Sequence, residues 1–230
     1  MSSIGSPSTF DDYIADYDAT VQAAIGVSGE PLAFFADLKA RIAREEAAAA
    51  TRHVLDFGCG IGNSTRALVN AMPDALITGF DPSADSIGMA RSRVSGAEFA
   101  TTSANRLPFA DSTFDLATAA CVFHHIAADE QQHWVSEIAR VLRPGGRFIM
   151  FEHNPLNPLT RHVVRNVPFD AGVTLLRRPT VVRLLESSGL RPGASRYYFF
   201  FPRFLATLRP LERFLGWVPF GGQFFVVGER

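Results

Sequence analysis

The sequence has two cysteines, a single lysine and no long hydrophobic run among its 230 residues. Cys59 and Cys121 form neither a CxxC pair nor a spacing typical of metal ligands, so we expect no metal and a reducing, cytoplasmic environment. The opening residues MSSIGSPSTFDD lack the basic start and apolar stretch of a secretion signal. No window approaches the roughly 18 apolar residues of a membrane-spanning helix, so a transmembrane segment is not expected.

The net charge of −1 hides an asymmetry between the two parts of the chain. Residues 1–150 carry 11 Lys+Arg against 18 Asp+Glu, a net charge of −7, whereas residues 151–230 carry 11 against 5, a net charge of +6. The basic part fits an anionic substrate or an anionic lipid surface, with a solvated arginine-rich face as the alternative. Neither a strongly basic domain nor an Asn-Pro-Pro-aromatic motif occurs, so no nucleic-acid partner is expected.

The pattern of apolar residues divides the chain into two parts. Residues 1–50 read as two helices, which we interpret as an N-terminal helical cap. From residue 51 to residue 230, short apolar strands alternate with helices, which predicts an α/β domain with a largely parallel sheet. Within it, residues 153–222 contain a connection rich in proline and asparagine, one helix and an aromatic insertion between two late strands.

The stretch HVLDFGCGIGNSTRAL places glycines at 58, 60 and 62 between a strand and a helix. A nicotinamide-binding turn needs a further glycine where Asn63 or Thr65 stands, which disfavours an oxidoreductase. Bare backbone at the start of a helix lets a ligand approach closely. Asp56, two residues before the first glycine, favours a ligand that carries positive charge.

Four stretches in order, VLDFGCGIG, ITGFDPS, LPFADSTFDLATAACVFHHI and ARVLRPGGRFIMFE, resemble the motifs of class I S-adenosylmethionine-dependent methyltransferases of the type 11/12 group, which includes ubiquinone-pathway and small-molecule enzymes. The resemblance covers about 100 residues. It implies a Rossmann-like fold with a mostly parallel seven-stranded sheet, one antiparallel edge strand and helices on both faces. It also implies S-adenosylmethionine as the methyl donor.

Carried over by position, the resemblance implies donor contacts at Asp56, Gly58, Cys59, Gly60, Gly62, Asp81, Pro82, Ser103, Ala104 and Cys121. Asp81 would bind both ribose hydroxyls, since a carboxylate accepts two hydrogen bonds side by side. Ser103 and Ala104 stand where the family often has an acid that contacts adenine. Tyr13 and Tyr17 would form a lid over the donor, with helix packing as the alternative.

Three histidines are candidates for proton transfer, because ligands of open α/β sheets bind at the carboxyl ends of the strands. His124 and His125 follow the fourth predicted strand, and His153 follows the fifth. Histidine titrates near neutrality and suits a proton acceptor for a hydroxyl or amine nucleophile. A scaffold role, with the imidazole bonded to a neighbouring loop, is the alternative for His124 and His125, and a role in loop structure is the alternative for His153.

The sequence predicts a methyltransferase that acts on a small-molecule or lipid-linked acceptor, which is either apolar or anionic. The alternative is a non-catalytic S-adenosylmethionine-binding protein with a regulatory or scaffold role. Tyr197 to Phe225 holds 11 aromatic residues among interspersed arginines, and predicts core strands, a pocket lid or a peripheral membrane contact. The acceptor, the methylated atom and the oligomeric state are not predicted.

Overall fold

The computed structural model describes residues 14–170 and 172–230; Tyr13, a predicted lid residue, lies outside them. The strands are β1 His53–Phe57, β2 Leu76–Phe80, β3 Ala97–Ala100, β4 Phe114–Ala120, β5 Leu142–His153, β6 Arg191–Tyr198 and β7 Gln223–Glu229. The α-helices are α1 Tyr17–Ile25, α2 Leu32–Glu46, α3 Asn63–Ala71, α4 Ala84–Arg93, α5 Gln131–Val141, α6 Pro158–Arg165 and α7 Arg178–Ser187. Short 3₁₀ segments cover Gly26–Ser28, Phe123–His125, Pro168–Asp170 and Arg203–Phe214.

The strands form one seven-stranded sheet in the order β3-β2-β1-β4-β5-β7-β6. The pairs from β3 to β5 are parallel, and β7 runs antiparallel to both of its neighbours, β5 and β6. The predicted fold class is therefore confirmed. The reversed strand lies one position inside the edge, where it joins β5 to the edge strand β6.

Both faces of the sheet are buried, as the continuous apolar strands require. Leu55 of β1 and Met150 of β5 belong to a core cluster that includes α5 and α7. Val54 and Ile149, their neighbours along the chain, belong to a second cluster that includes α2 and α3. Successive side chains of a strand point to opposite faces of the sheet, so each apolar strand contributes residues to both cores.

The connection after β5 contains a helix that the sequence analysis did not predict. Asn157 caps α6, since its side-chain oxygen accepts the backbone N–H groups of Leu159 and Thr160 at 2.9 and 3.1 Å. Pro158 takes the first helical position, where a missing N–H costs nothing. The Asn-Pro pair therefore starts a helix here. Among the described residues, no helix combines the length and the apolar character needed to cross a membrane.

Candidate active site

The turn between β1 and α3, residues 58–62, is the first component of the site, and we call it the glycine turn. The N–H groups of Gly58 and Cys59 donate to the Phe80 carbonyl at 2.7 and 3.0 Å, which fixes the turn to the end of β2. Gly60 has φ +52°, and a Cβ placed there would meet no atom within 4 Å. Its backbone therefore faces open space, as a close ligand contact requires.

The other two glycines of the turn are needed for packing. A Cβ at Gly58 would lie 2.6 Å from the Val122 side chain, and one at Gly62 would lie 2.8 Å from Val94 Cγ2. Both have positive φ angles. They allow β4 and α4 to approach the turn, whereas the missing Cβ of Gly60 leaves open the space where a ligand would lie.

Asp81 lies at the end of β2, beside the turn. Its Oδ2 accepts the Gly60 N–H at 2.9 Å, and its Oδ1 accepts the Ser83 N–H at 3.0 Å. These two backbone bonds orient the carboxylate toward the cavity that it lines. A carboxylate fixed in this way can accept further hydrogen bonds from a diol.

Asp56 has different surroundings, because it is fully buried below the turn. Its Oδ2 accepts the hydroxyls of Ser64 and Thr65, each at 2.7 Å, and its Oδ1 accepts that of Thr118 at 3.3 Å. Burial raises the pKa of the Asp56 carboxyl, and the three hydroxyls oppose that rise. In this structure Asp56 joins β1, β4 and the start of α3.

Two carboxylates and two histidines form the second component, which we call the histidine–carboxylate cluster: His124, His125, Glu152 and Asp170. His124 Nδ1 lies 2.6 Å from Glu152 Oε2, and its Nε2 lies 3.9 Å from Asp170 Oδ1. His125 Nε2 lies 3.2 Å from the same Asp170 oxygen. Glu152 is oriented by the Phe123 N–H, which donates to its Oε1 at 2.9 Å.

The charges of this cluster follow from its geometry. Burial alone would lower the pKa of His124, but the adjacent carboxylates of Glu152 and Asp170 raise it to about 10. Burial would raise the pKa of each carboxyl, and the neighbouring imidazoles lower both instead. His124 is therefore an imidazolium between two carboxylates at neutral pH. The ligand-capable atoms of His124, His125 and Asp170 lie within 4.8 Å of one another, and their mutual ion pairs account for that arrangement.

Two neighbours of the cluster are neutral. Burial and the charge of His124 lower the pKa of His153 to about 4. Burial raises the pKa of the Cys121 thiol to about 12, so Cys121 is not a thiolate near pH 7. Cys121 has φ +60° at the end of β4, and its N–H donates to the Phe151 carbonyl at 2.8 Å.

A cavity of about 250 Å³ connects the glycine turn to the histidine–carboxylate cluster. The far wall is mostly apolar and consists of side chains from α1, α2, α6 and the 3₁₀ segment that ends at Asp170. The Tyr17 ring of α1 stacks on Phe169, with centroids 5.1 Å apart. α1 therefore lies against the cavity, in the place that the lid prediction gives to Tyr17.

The structure brings most of the predicted site residues together. The predicted residues that line the cavity are Tyr17, Gly58, Cys59, Gly60, Asp81, Pro82, Cys121, His124, His125 and His153. Asp56 and Gly62 lie behind the turn. Ser103 and Ala104 are exposed, outside the cavity lining, and the Ala104 N–H donates to Thr102 Oγ1 at 3.1 Å. Donor contacts at all of these residues stay predictions.

Asp170 was missed by the sequence analysis. It lies in the loop that follows α6, 45 residues after His125, and it contacts both histidines. An acid in the stretch NVPFDAGV carries no local pattern that predicts such a contact. Lys39 of α2 also lines the cavity, although its position on a helix of the predicted cap gave no indication of this.

Comparison with known proteins assigns the class. A family model described as a methyltransferase domain matches residues 54–146, from β1 into β5. The chain has the class I methyltransferase fold, and the resemblance inferred from its motifs is confirmed. The family and the fold together imply S-adenosylmethionine as the methyl donor.

Individual relatives match parts of the chain. It is 33% identical over 104 residues to the ubiquinone/menaquinone biosynthesis C-methyltransferase UbiE of Desulfotalea psychrophila, covering 44% of this chain and 42% of that protein. It is 32% identical over 164 residues to a trans-aconitate 2-methyltransferase of Rhodopseudomonas palustris, covering 70% and 57%. The chain spans about half the length of the curated relatives it matches.

One solved structure is similar over nearly the whole chain. It is a SAM-dependent methyltransferase of Thermotoga maritima, described as a possible histamine N-methyltransferase. The TM-score is 0.70 at 20% identity, with 96% of this chain and 98% of that chain covered. At this level of identity the similarity shows the fold.

Proposed function

We propose that this chain is an S-adenosylmethionine-dependent methyltransferase that acts on a small-molecule acceptor with an apolar body. The observation that supports this most directly is that one cavity contains the backbone of Gly60, the Asp81 carboxylate and the histidine–carboxylate cluster. The proposed donor site and a group able to accept a proton would thus share one cavity. Both relatives named above are methyltransferases, and each is named for a small molecule.

The residues of the glycine turn fit the donor. Gly60 leaves room for a ligand against its backbone, and Asp81 presents a carboxylate to the same space. Gly58, Gly60 and Asp81 would hold S-adenosylmethionine, which when bound supplies a methyl group already activated for attack by a nucleophile. The chain must then align the acceptor, exclude water and receive a proton where one is released.

His125 is the proton acceptor in this proposal, and Asp170 orients it. His124 keeps its proton at neutral pH because it lies between Glu152 and Asp170, so it is unsuited to accept another. Its role is to hold Glu152 and Asp170 in place. Asp170 Oδ1, at 3.2 Å from His125 Nε2, orients that imidazole and stabilises the imidazolium that proton transfer would form.

The far wall of the cavity indicates the body of the acceptor. Val163, Val164 and Val167 line it from α6 and the loop that follows, and Phe35 lines it from α2. Apolar walls favour an apolar acceptor over an anionic one. Arg161 and Arg165 are not among the lining residues, and the cationic side chain that an anionic acceptor would meet on this wall is Lys39.

Calorimetric titration with S-adenosylhomocysteine tests the donor site. We expect the wild type to bind and Asp81→Ala to bind about 10–100-fold more weakly, since a charged hydrogen-bond acceptor is lost. The matched control is Asp85→Ala, which removes an exposed acid from the first turn of α4 and should leave affinity unchanged. Equal affinities for Asp81→Ala and the wild type, or no binding at millimolar concentration, contradict the proposal.

Turnover separates the enzyme from the non-catalytic alternative. Radiolabelled donor incubated with an extract of small molecules and lipids should label a product, and His125→Gln should reduce the labelling with little change in S-adenosylhomocysteine affinity. Binding of the donor without labelling of any acceptor would favour the scaffold role.

A further inference from the structure

The segment between β6 and β7 turns apolar side chains toward solvent. Residues Arg203–Phe214 form 3₁₀ turns that are interrupted by a kink at Leu205, and none of these residues is buried. Phe204 and Trp217 are 78% and 77% exposed, and Phe214 and Phe220 are 61% and 63% exposed. Several exposed aromatic side chains in one short segment of the chain are typical of an interaction surface. The predictions of core packing and of a pocket lid do not describe these four side chains.

Two charged residues of the same segment, Arg209 and Glu212, anchor it to the rest of the domain. The Glu212 carboxylate accepts backbone N–H groups of residues 199–201 at 3.0 to 3.1 Å. Arg209 pairs with Glu30 at 2.5 Å, and its guanidinium lies 4.6 Å from the centre of the Phe34 ring. The segment is therefore held by its polar groups, and the outward position of its aromatic rings is a property of the fold.

The start of α6 extends this apolar surface. Leu156 and Leu159 are 44% and 41% exposed. The Asn157 side chain donates to the Phe220 carbonyl at 2.7 Å, which joins this region to the segment before β7. We call the exposed apolar side chains of residues 156–159 and 204–220 the outer apolar face.

Basic residues accompany the outer apolar face. Residues 154–166 and 200–220 contain five arginines and one glutamate, a net charge of +4. Arg161, Arg165, Arg203 and Arg213 are exposed, and the Arg213 guanidinium lies 4.6 Å from the Phe214 ring centre. A twofold contact between copies of this face would bring like charges together, whereas anionic headgroups complement them.

We propose that the outer apolar face docks on the surface of an anionic phospholipid bilayer. The Phe and Trp rings would enter the headgroup region, where an aromatic side chain is favoured. The arginines would lie at the level of the phosphates, with their stems along the apolar surface.

This docking surface adjoins the cavity. Leu159 and Val163 are four residues apart on α6 and share a side of the helix; Leu159 is exposed and Val163 lines the cavity. The inference that the acceptor is an amphiphile entering from the bilayer rests on the proposed function. The docking itself is testable without it.

Trp217 is a built-in probe for the experiment, because the other tryptophan, Trp134, is buried. Vesicles of phosphatidylcholine and phosphatidylglycerol should shift the emission of the wild-type protein to shorter wavelength, and brominated lipids should quench it. Trp217→Ser/Phe220→Ser should lower binding in vesicle co-sedimentation at least about tenfold, since two large apolar side chains no longer leave water. Arg203→Gln/Arg213→Gln should lower it about fivefold per arginine.

Leu76→Ser is the matched control, since Leu76 is 63% exposed at the start of β2 and does not belong to the outer apolar face. It should bind vesicles as the wild type does, and circular dichroism should show every variant folded. Equal binding to pure phosphatidylcholine, or unchanged emission, would overturn the proposal. So would a dimer that shields Trp217 without lipid. Trp217→Ser/Phe220→Ser should bind S-adenosylhomocysteine normally without vesicles, so failure of the donor site and failure of docking are distinguishable.

Discussion

His124, which is buried, and His153, which is half-buried, have neighbouring rings, and their pKa values move in opposite directions from the ordinary 6.5. In the folded protein His153 stays neutral down to about pH 4, whereas in the unfolded chain it is protonated near pH 6.5. The free energy of unfolding therefore falls as the pH drops from 6.5 to 4. Folded His124 keeps its proton up to about pH 10, so its contribution is complete below 6.5 and is lost as the pH rises toward 10. We expect maximal stability near pH 6.5, with a loss of up to about 1.4 kcal/mol per pH unit from each histidine.

Urea denaturation between pH 5 and 9 checks this expectation. His153→Gln should flatten the acidic side between pH 6.5 and 5, a range that lies above the ordinary pKa values of Glu152 and Asp170. His162→Gln is the matched control, because His162 is exposed on α6. If His153→Gln and His162→Gln have the same pH profile, the neutral state assigned to His153 is wrong.

Single residues differ in how far the sequence reveals them. The glycine turn and Asp81 were predictable, because bare backbone and a strand-end acid at a fixed distance leave a local pattern. The different roles of Gly60 and Gly62 were not predictable, since they depend on how closely α4 approaches the glycine turn. Asp170 was also hidden, because its contact with His125 is created by the path of the chain after α6.

At the scale of the glycine turn, two alanine substitutions should separate ligand binding from packing. Gly60→Ala places a Cβ in the open space where the ligand would lie, so we expect at least tenfold weaker S-adenosylhomocysteine binding. The positive φ of this residue should add a backbone strain of about 1–2 kcal/mol. Gly62→Ala adds a contact of 2.8 Å with Val94, so it should lose about 2–4 kcal/mol of unfolding free energy. Urea denaturation and calorimetry on both variants measure the two effects.

The double variant Gly62→Ala/Val94→Ala provides the control, because it removes the side chain that the new methyl group meets. It should lose less stability than the sum of the two single variants, as expected of residues in contact. Additive losses, or a Gly60→Ala variant that binds as tightly as the wild type, would contradict the roles assigned to these glycines.

Helices and strands with a clear hydrophobic period were predictable from the sequence. Elements whose residues also favour another structure were not. The strands of the parallel half alternate with helices at short spacing, which the apolar pattern shows directly. The residues of α6 are predicted to form a connection because Pro and Asn also favour turns, although Asn157 and Pro158 begin a helix. The position of β7 between β5 and β6 is set by long-range pairing, which a local pattern does not contain.

At the scale of the whole molecule, the positive charge and the exposed aromatic residues coincide. The net charge of +6 on residues 151–230 includes the arginines beside the outer apolar face, whereas residues 1–150 carry a net charge of −7. Both properties can be read from the sequence, but their common location cannot. Only the fold brings α6 next to the segment before β7, through the bond from Asn157 to Phe220.

The contacts of α1 determine how a ligand reaches the cavity. This helix contributes no buried residue; Asp18 joins it to the domain by accepting the Asn63 amide at 2.7 Å and by pairing with Arg93. Elements without a buried residue open at low free-energy cost, and a ligand bound beneath them shifts the equilibrium toward closure. We therefore expect S-adenosylhomocysteine to slow hydrogen exchange of the α1 amides about tenfold or more, and Asp18→Asn to speed both that exchange and ligand dissociation. Asp85→Asn should change neither, because Asp85 lies on the exposed side of α4. Protection confined to the glycine turn, with α1 exchanging at the ligand-free rate, would mean that α1 takes no part in closing the site.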